Sequence, residues 1–332
     1  MNITQDTKTE TSKFSQQLLS DVKSLFLQEK DENLSPYLYS TANPEIKGDL
    51  ADGEGCYYRL ISQNPGYYLY KEEIELFNNV AGKLAAYVPS GANVIELGPG
   101  TDIAFKNKTL PFLKEIKKLG GYIPIDLCQT YLDDSEAILK QNLPEVSVTK
   151  IKSDFIKNIG LVGDFDLPVI FFKGSTITNL STKNCLSFLQ RVAQSLTPEG
   201  LLIVGVDANQ NEVSLGEAYN DGKMADLTLS IVHLINRDLP VEGFDPMGFK
   251  YEFNWEPKTH CVEHNVRAIK SQDFVLDGTP IKIEDGTKFH FLSSYKYPVD
   301  YFQNLAVEAG LKPLDCFVHE KGRMVIHVLG NK

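Results

Sequence analysis

Residues 93–101 read NVIELGPGT, a short apolar run that ends in an acid and continues into a Gly-Pro-Gly turn. The run has the length and composition of a buried β-strand. Glycines after such a strand let the backbone approach a ligand closely, and a following helix offers unpaired N–H groups. The pattern is not G-x-G-x-x-G, because no glycine follows Gly100 at the spacing of the third glycine. Gly98–Thr101 by itself therefore fits either a ligand-binding loop or a tight structural turn.

The chain after this strand alternates between strand and helix patterns. Helical patterns lie around 108–118, 131–143 and 182–200, and further strand patterns are GYIPIDL (121–127), VSVTKIKSDF (146–155), LPVIFFKGS (167–175) and LLIVGVDA (201–208). Alternating units of this kind predict a parallel sheet with helices on both faces. Residues 208–296 break this rhythm and hold a helical pattern at 214–238 and an antiparallel pair of strand patterns, THCVEHNVRAIK (259–270) and TKFHFLSSYKY (287–297). A helix at 299–310 then leads to two last strands, which Lys321-Gly322 joins into a hairpin.

Five parallel strands, a helix and a terminal hairpin are the order typical of S-adenosylmethionine (SAM) methyltransferases, whereas a dehydrogenase usually ends in a sixth parallel strand. We therefore predict a Rossmann-like α/β fold with a seven-stranded sheet, a terminal antiparallel hairpin and a substrate-binding cap domain. The predicted core comprises 91–207 and 297–332, the inserted substrate-binding domain 208–296, and the N-terminal helical and cap segment 1–90. Within that last segment, amphipathic helices are predicted at 14–28 and 72–88.

Composition narrows the class of protein further. The 332 residues carry 44 acids and 33 bases, a net charge of −11, and this argues against a nucleic-acid partner. Five widely spaced cysteines without a C-x-x-C pair indicate a reducing cytosol, and the polar N-terminus does not resemble a signal peptide. No stretch approaches about 20 consecutive apolar residues, so no membrane-spanning helix is expected. We predict a cytoplasmic protein with a small-molecule substrate, and neither His spacing nor any other pattern predicts a metal site.

Acids follow two more of the predicted strands. Asp126 lies in YIPIDL at the carboxyl end of the second strand, where a carboxylate can accept both ribose hydroxyls of an adenosine cofactor, although it can also cap the next helix. Asp154 and Phe155 end the third strand, where an acid and a ring suit an adenine amino group and base. With the glycine turn, these residues predict a nucleoside cofactor at one edge of the sheet. The terminal hairpin and the imperfect glycine motif favour SAM, with S-adenosylhomocysteine as product, over NAD.

The sequence resembles the histidine-specific SAM-dependent methyltransferase family from about residue 50 to the C-terminus. The matching motifs are DGEG…NPGYY, VIELGPGT, YIPIDL, SDF, FFKGSTITNL, GVDANQNE…AYND, INRDLP…FD and LSSYKY, of which FKGSTITNL is the most specific. The resemblance implies an N-methyltransferase that acts on the α-amino group of an amino acid or an amino-acid-like small molecule.

Site residues follow from the resemblance position by position. On the cofactor side it implies Gly98, Asp126, Asp154, Phe155 and Gly174. The strand end and turn around Gly98 add Glu96, Gly100 and Thr101 to the predicted cofactor residues. On the substrate side, Asn179 matches the asparagine that holds the amino-acid head group, Tyr219 the tyrosine at its carboxylate, and Tyr68 a tyrosine near the α-amino group. These three are the predicted catalytic set. Ser294 matches a serine that faces the substrate side chain.

Three departures from the family pattern bear on the substrate. The family has a lysine soon after the glycines, and here only Lys106 or Lys108 can correspond, with a short insertion. The histidine enzymes have a glutamate where this chain has Leu292, and a methionine where it has His264. Leucine cannot bond an imidazole N–H, and a buried unpaired donor costs roughly 1–3 kcal/mol. We therefore expect a substrate other than histidine. The alternatives are a SAM- or metabolite-binding module without turnover and an NAD-linked oxidoreductase.

Overall fold

The chain divides into two compact units in the computed structural model, which describes residues 3–29, 34–40, 64 and 66–332. The large-sheet unit comprises Tyr68–Asn211 and Tyr295–Lys332. The small-sheet unit comprises Met1–Tyr67 and Glu212–Ser294, of which only the described residues are considered. The functional division predicted at residues 90, 207 and 296 stays a prediction. The DGEG motif at 52–55 lies outside the described residues.

Nine α-helices are described; in the large-sheet unit the first helix precedes the first strand, and the others lie between strands along the chain. They are α1 (Ile3–Phe26), α2 (Tyr68–Ala85), α3 (Asp102–Ala104), α4 (Leu110–Glu115), α5 (Gln129–Asn142), α6 (Thr182–Ser195), α7 (Glu212–Tyr219), α8 (Gly222–Asp238) and α9 (Val299–Glu308). Within the described part of the chain, no helix has both the length and the apolar character needed to span a bilayer.

The large-sheet unit contains a seven-stranded sheet in the order β12-β13-β5-β4-β1-β2-β3. Its strands are β1 (Ala92–Leu97), β2 (Leu119–Asp126), β3 (Ile151–Lys152), β4 (Pro168–Phe172), β5 (Leu201–Asp207), β12 (Leu311–Val318) and β13 (Met324–Asn331). The first five pair in parallel, and β13 pairs antiparallel with both β5 and β12. The predicted Rossmann-like fold with a terminal hairpin is confirmed.

Burial on both faces explains why the central strands are continuously apolar. Every residue of β4 and β5 is buried, as expected for parallel strands covered by helices on both sides. Helix α6 begins where the Ser181 hydroxyl accepts the backbone N–H of Asn184. Its apolar residues Cys185, Phe188, Leu189 and Val192 then pack into the core that lies against the sheet.

Three local elements differ from the sequence prediction. The helix predicted around 108–118 begins already at Asp102, because the Thr101 hydroxyl accepts the Ala104 N–H at 3.3 Å, and a π-helical segment, Phe105–Thr109, joins α3 to α4. The strand predicted at 146–155 is reduced to β3. The helix predicted at 214–238 is two helices, and Asp221 caps the second by accepting the N–H groups of Lys223 and Met224.

The small-sheet unit holds two three-stranded sheets beside α1, α7 and α8. Their strands are β6 (Val241–Glu242), β7 (Phe249–Glu256), β8 (Cys261–Ala268), β9 (Gln272–Leu276), β10 (Thr279–Ile283) and β11 (Lys288–Tyr295), in the orders β10-β9-β6 and β11-β8-β7. The predicted neighbours β8 and β11 do pair, but β7 was not expected as a strand. An aromatic cluster around Phe26 forms the core, with ring contacts to Phe244, Phe274 and Phe289.

One buried histidine makes the fold sensitive to acid. His327 on β13 is fully buried, its ring lies 4.8 Å from that of Phe302, and neither ring nitrogen has a hydrogen-bond partner among the described residues. Burial lowers the pKa of His327 to about 4. Between about pH 6.5 and 4 the unfolded state therefore binds a proton that the folded state does not, so stability falls as the pH falls.

We expect His327→Leu to abolish the part of the pH dependence of folding stability that comes from His327. A shift of this size corresponds to about 3 kcal/mol of unfolding free energy lost between pH 7 and 4. Urea unfolding of both proteins at pH 7 and pH 4.5 measures the difference, because the other titrating groups are common to both. The prediction is wrong if wild type and variant lose the same free energy on acidification.

Candidate active site

The ends of three neighbouring strands bring the predicted cofactor residues together in the large-sheet unit. Gly98, directly after β1, has φ 74°, a backbone conformation that favours glycine. A Cβ built at Gly98 would lie 3.5 Å from Phe155 Cε1 and 4.0 Å from Asp126 Oδ2. The Asp126 carboxylate at the end of β2 and the Phe155 ring after β3 therefore both lie on the side of Gly98 where any other residue would carry its Cβ. The sequence predicted this convergence.

Asp126 and Asp154 each use one carboxylate oxygen to shape the local chain. Asp126 Oδ1 accepts the N–H of Cys128 at 2.9 Å, directly before α5. Asp154 Oδ1 accepts the N–H groups of Ile156 and Lys157 at 3.0 and 3.2 Å. These bonds fix the direction of both carboxylates. Asp126 Oδ2 is the oxygen that faces Gly98. The ribose role of Asp126 and the adenine role of Asp154 stay predictions.

Glu96 lies below the glycine turn and is fully buried. Its carboxylate accepts hydrogen bonds from Thr109 Oγ1 at 2.6 Å, from Lys173 Nζ at 2.5 Å and from the Tyr122 hydroxyl. Lys173 also donates to the carbonyl oxygens of Pro99 at 2.7 Å and Gly98 at 3.3 Å. Glu96 therefore reaches the turn through Lys173, and direct contact with the cofactor stays a prediction.

A second buried carboxylate supports the loop after β4. Glu73 on α2 accepts the backbone N–H of Gly174 and pairs with Lys108, which is itself buried in the π-helical segment. Lys106, by contrast, is exposed and pairs with Asp102 at 2.9 Å. The two candidates for the family's cofactor-side lysine are thus held by different acids, and which of them serves stays open.

Tyr68 donates its hydroxyl proton to Asp207. The phenol oxygen lies 2.9 and 2.7 Å from the two carboxylate oxygens, and Asp207 also pairs with Lys296 Nζ at 3.0 Å. Asp207 and Lys296 are fully buried. The guanidinium of Arg323 lies 4.5 Å from the centre of the Tyr68 ring and pairs with Glu72. Because the hydroxyl has one proton, any further group that bonds this oxygen must be a donor.

Asn179 ends the 3-10 turn Thr176–Asn179, in the loop that follows β4. Two residues with positive φ begin this loop, Gly174 at 83° and Ser175 at 52°. The non-glycine residue in the left-handed region marks a constrained backbone, which is a common feature of ligand-binding loops. Asn179 is half-buried at the end of the loop.

Tyr219 and His264 form an aromatic cluster in the small-sheet unit. Their ring centres lie 5.7 Å apart, and Tyr67 contacts Tyr219 edge-on at the same distance. The Tyr251 hydroxyl lies 2.8 Å from the backbone oxygen of Tyr219 and 3.0 Å from His264 Nδ1. Burial strongly raises the pKa of Tyr251, so its hydroxyl stays protonated and donates within this cluster.

The remaining predicted substrate residues lie on β11. Leu292 is 4% exposed and packs in the apolar core of the small-sheet unit, while Ser294 is half-buried. Their contact with substrate stays a prediction. The burial of Leu292 means that a glutamate at this position would place a charge in an apolar core.

We therefore expect Leu292→Glu to destabilise the protein without creating histidine methylation. Burying an unpaired carboxylate should lower the unfolding free energy by about 3 kcal/mol or more. Lys288→Glu, an exposed change on the same strand, is the matched control and should cost about 0.5 kcal/mol or less. Urea unfolding measures both. A stable Leu292→Glu protein that gains histidine activity would contradict the prediction.

The residues at the strand ends fit an adenosine-type cofactor. A glycine with positive φ leaves room between a carboxylate and a ring, and the carboxylate is an acceptor for hydroxyl groups. Such a site at the carboxyl ends of a parallel sheet with a terminal antiparallel hairpin defines the class of SAM-dependent methyltransferases.

Comparison with known proteins identifies the family within this class. A model of the family "Histidine-specific methyltransferase, SAM-dependent" matches residues 19–331, so the chain belongs to this family and its cofactor is SAM. Histidine N-alpha-methyltransferase of Mycolicibacterium smegmatis is 26% identical over 258 residues, 76% of this chain and 79% of the relative. The 4-dimethylallyltryptophan N-methyltransferase of Aspergillus fumigatus is 25% identical over 278 residues, 74% of this chain and 77% of the relative.

Among the solved structures to which the chain is similar is a SAM-dependent methyltransferase from Clostridium acetobutylicum. It has a TM-score of 0.46 and 14% identity, over 83% of this chain and 96% of that one.

Sequence reasoning missed the buried charges that support the site. Lys173, Glu73, Asp207 and Lys296 were not among the predicted residues, although each lies in or beside an apolar segment where an isolated charge requires a partner. A charged residue within an apolar segment was therefore the sequence feature that could have identified them.

Proposed function

We propose that this N-methyltransferase transfers the methyl group of SAM to the α-amino group of an amino acid or amino-acid-like small molecule other than histidine. The family membership supports N-methylation. The two relatives named above act, by their names, on histidine and on a prenylated tryptophan. These amino acids differ in the side chain, and an amino-acid backbone is what they share.

The observation that carries the proposal is the hydrogen bond from Tyr68 to Asp207. It leaves the Tyr68 oxygen as an acceptor toward any other group, and an amine N–H is a suitable donor. The ion pair with Lys296 places a counter-charge beside the buried Asp207 carboxylate. A substrate oxygen without a proton would be repelled at this place, so the arrangement favours amines over carboxylates.

SAM supplies an activated methyl group, whose bond to sulfur breaks as the bond to the amine nitrogen forms, leaving S-adenosylhomocysteine. The residues of this chain then have to hold the cofactor and align an uncharged amine. Gly98, Gly100, Thr101, Asp126, Phe155 and Gly174 are proposed to hold the cofactor, with Asp126 on the ribose. Asp154 is proposed to bind the adenine amino group.

For the substrate, Tyr68 is proposed to orient the amine, and Asn179 and Tyr219 to hold the amino-acid head group. His264, Leu292 and Ser294 are proposed to contact the side chain. No charged carboxylate stands at Leu292 to bind an imidazole, which is the reason to expect a different side chain.

A mass-spectrometric screen of amino acids and amines with SAM tests the proposal. We expect methylation of at least one α-amino acid other than histidine, together with release of S-adenosylhomocysteine. Histidine as the best substrate among the proteinogenic amino acids would contradict the proposed specificity. Binding of SAM without release of S-adenosylhomocysteine for any compound would instead favour the alternative of a binding module. The comparisons give no support to an NAD-linked oxidoreductase.

A further inference from the structure

Lys173 is a buried cation directly after β4. Its described hydrogen bonds all go to the glycine turn or to Glu96 just before it. Its side chain is 3% exposed. The ammonium group has three N–H donors, and three oxygens lie in reach: Glu96 Oε1 at 2.5 Å, the Pro99 carbonyl at 2.7 Å and the Gly98 carbonyl at 3.3 Å. A buried charge is tolerated when it is paired and fully hydrogen-bonded, and these partners meet that requirement.

The two carbonyl bonds determine which way the turn faces. In a trans peptide the C=O and the N–H of one unit point in opposite directions, and the described residues contain no cis peptide. The Pro99 carbonyl points at Lys173, so the N–H of Gly100 points away from it. The peptide before Pro99 has no N–H. The Gly100 N–H is therefore the donor whose direction this lysine controls.

The same network joins the turn to the loop after β4. Glu96 is held by Thr109 and Tyr122 from two other elements, so it presents a fixed oxygen to Lys173. Gly174, the next residue, donates its N–H to Glu73 of α2. The loops that carry Gly98 and Gly174 are thus each held with the help of a buried carboxylate, Glu96 through Lys173 and Glu73 directly.

We propose that Lys173 is a positioning residue for the cofactor turn, which holds the Gly98 and Pro99 carbonyls and thereby directs the Gly100 N–H toward the cofactor. The inference rests on the proposed cofactor role of the turn. It predicts that removing the ammonium group weakens cofactor binding more than the accompanying loss of stability explains.

The test replaces the buried pair as a pair, Glu96→Gln with Lys173→Met, so that no unpaired charge is left. Calorimetry with S-adenosylhomocysteine measures the dissociation constant of each folded protein, without any need for the methyl acceptor. We expect the double variant to bind at least about 20-fold more weakly, which is the loss of one charge-assisted hydrogen-bond set. Glu96→Gln with Lys173→Gln keeps a neutral donor and should recover part of the affinity, with a loss of about 3- to 10-fold.

The control for general destabilisation is Ile170→Ala, a buried change on the same strand that leaves the turn contacts in place. It should lower the unfolding temperature while the dissociation constant stays within about twofold of wild type. A double variant that folds and binds within about twofold of wild type overturns the inference. If the variant with Lys173→Met does not fold, the variant with Lys173→Gln is measured instead. A dissociation constant within about twofold of wild type then also overturns the inference. Failure of the inference alone leaves wild-type binding intact, whereas a wild type that binds no S-adenosylhomocysteine overturns the cofactor assignment as well.

Discussion

Gly98→Ala is expected to weaken SAM binding by about 50-fold or more, while Gly91→Ala leaves it within about twofold. The two glycines flank the same strand, β1, and both have positive φ, 74° at Gly98 and 84° at Gly91. An alanine at either position takes on backbone strain of about 1 kcal/mol. Only the Cβ at Gly98 would project toward the Phe155 ring and the Asp126 carboxylate, and a Cβ at Gly91 meets nothing within 4 Å.

The comparison separates a binding effect from a stability effect. Both variants should lose a similar amount of thermal stability, and calorimetry with S-adenosylhomocysteine should find the affinity loss in Gly98→Ala alone. Equal affinity of the two variants would show that the space beside Gly98 is not used by the cofactor. A loss in Gly91→Ala of the same size would assign the effect to strain in β1.

The sequence was sufficient to predict the strand-end residues because their signal is local. Gly98 and Asp126 each follow an apolar run at once, and parallel strands bring their carboxyl ends to one edge of a sheet. The terminal hairpin was equally readable from Lys321-Gly322 between two apolar runs. The early start of the helix at Asp102 was not, because it depends on one hydrogen bond that the Thr101 hydroxyl accepts from the Ala104 N–H and on a π-helical segment.

The buried ion network could not be predicted, since its pairs are distant in sequence. Lys173 and Glu96 are separated by 77 positions, and Gly174 and Glu73 by 101. A charge in an apolar strand indicates that a partner exists, but only the fold determines which acid it is. The position of Leu292 also depends on the fold. The sequence shows that the residue is apolar, but not that it packs in the core of the small-sheet unit.

Tyr68→Phe is expected to lower kcat/KM for the methyl acceptor by about 10- to 100-fold and to leave the affinity for S-adenosylhomocysteine within about twofold. The variant keeps the ring beside Arg323 and removes only the oxygen that accepts the amine N–H in the proposed mechanism. Tyr87→Phe is the matched control, because the Tyr87 hydroxyl also donates to a carboxylate, Asp315 Oδ2 at 2.7 Å, in the same unit.

The partner of Tyr68 provides the second half of this prediction. Asp207→Asn with Lys296→Met removes both buried charges together, so neither is left without its counter-charge. An asparagine at 207 can donate to the Tyr68 oxygen as well as accept from it, so the oxygen is no longer fixed as an acceptor. We expect kcat/KM to fall by about 5- to 20-fold, and adding Tyr68→Phe should bring the loss only to that of Tyr68→Phe alone, because both changes remove one interaction. Additive losses, or a Tyr68→Phe enzyme as active as Tyr87→Phe, would contradict the amine-orienting role.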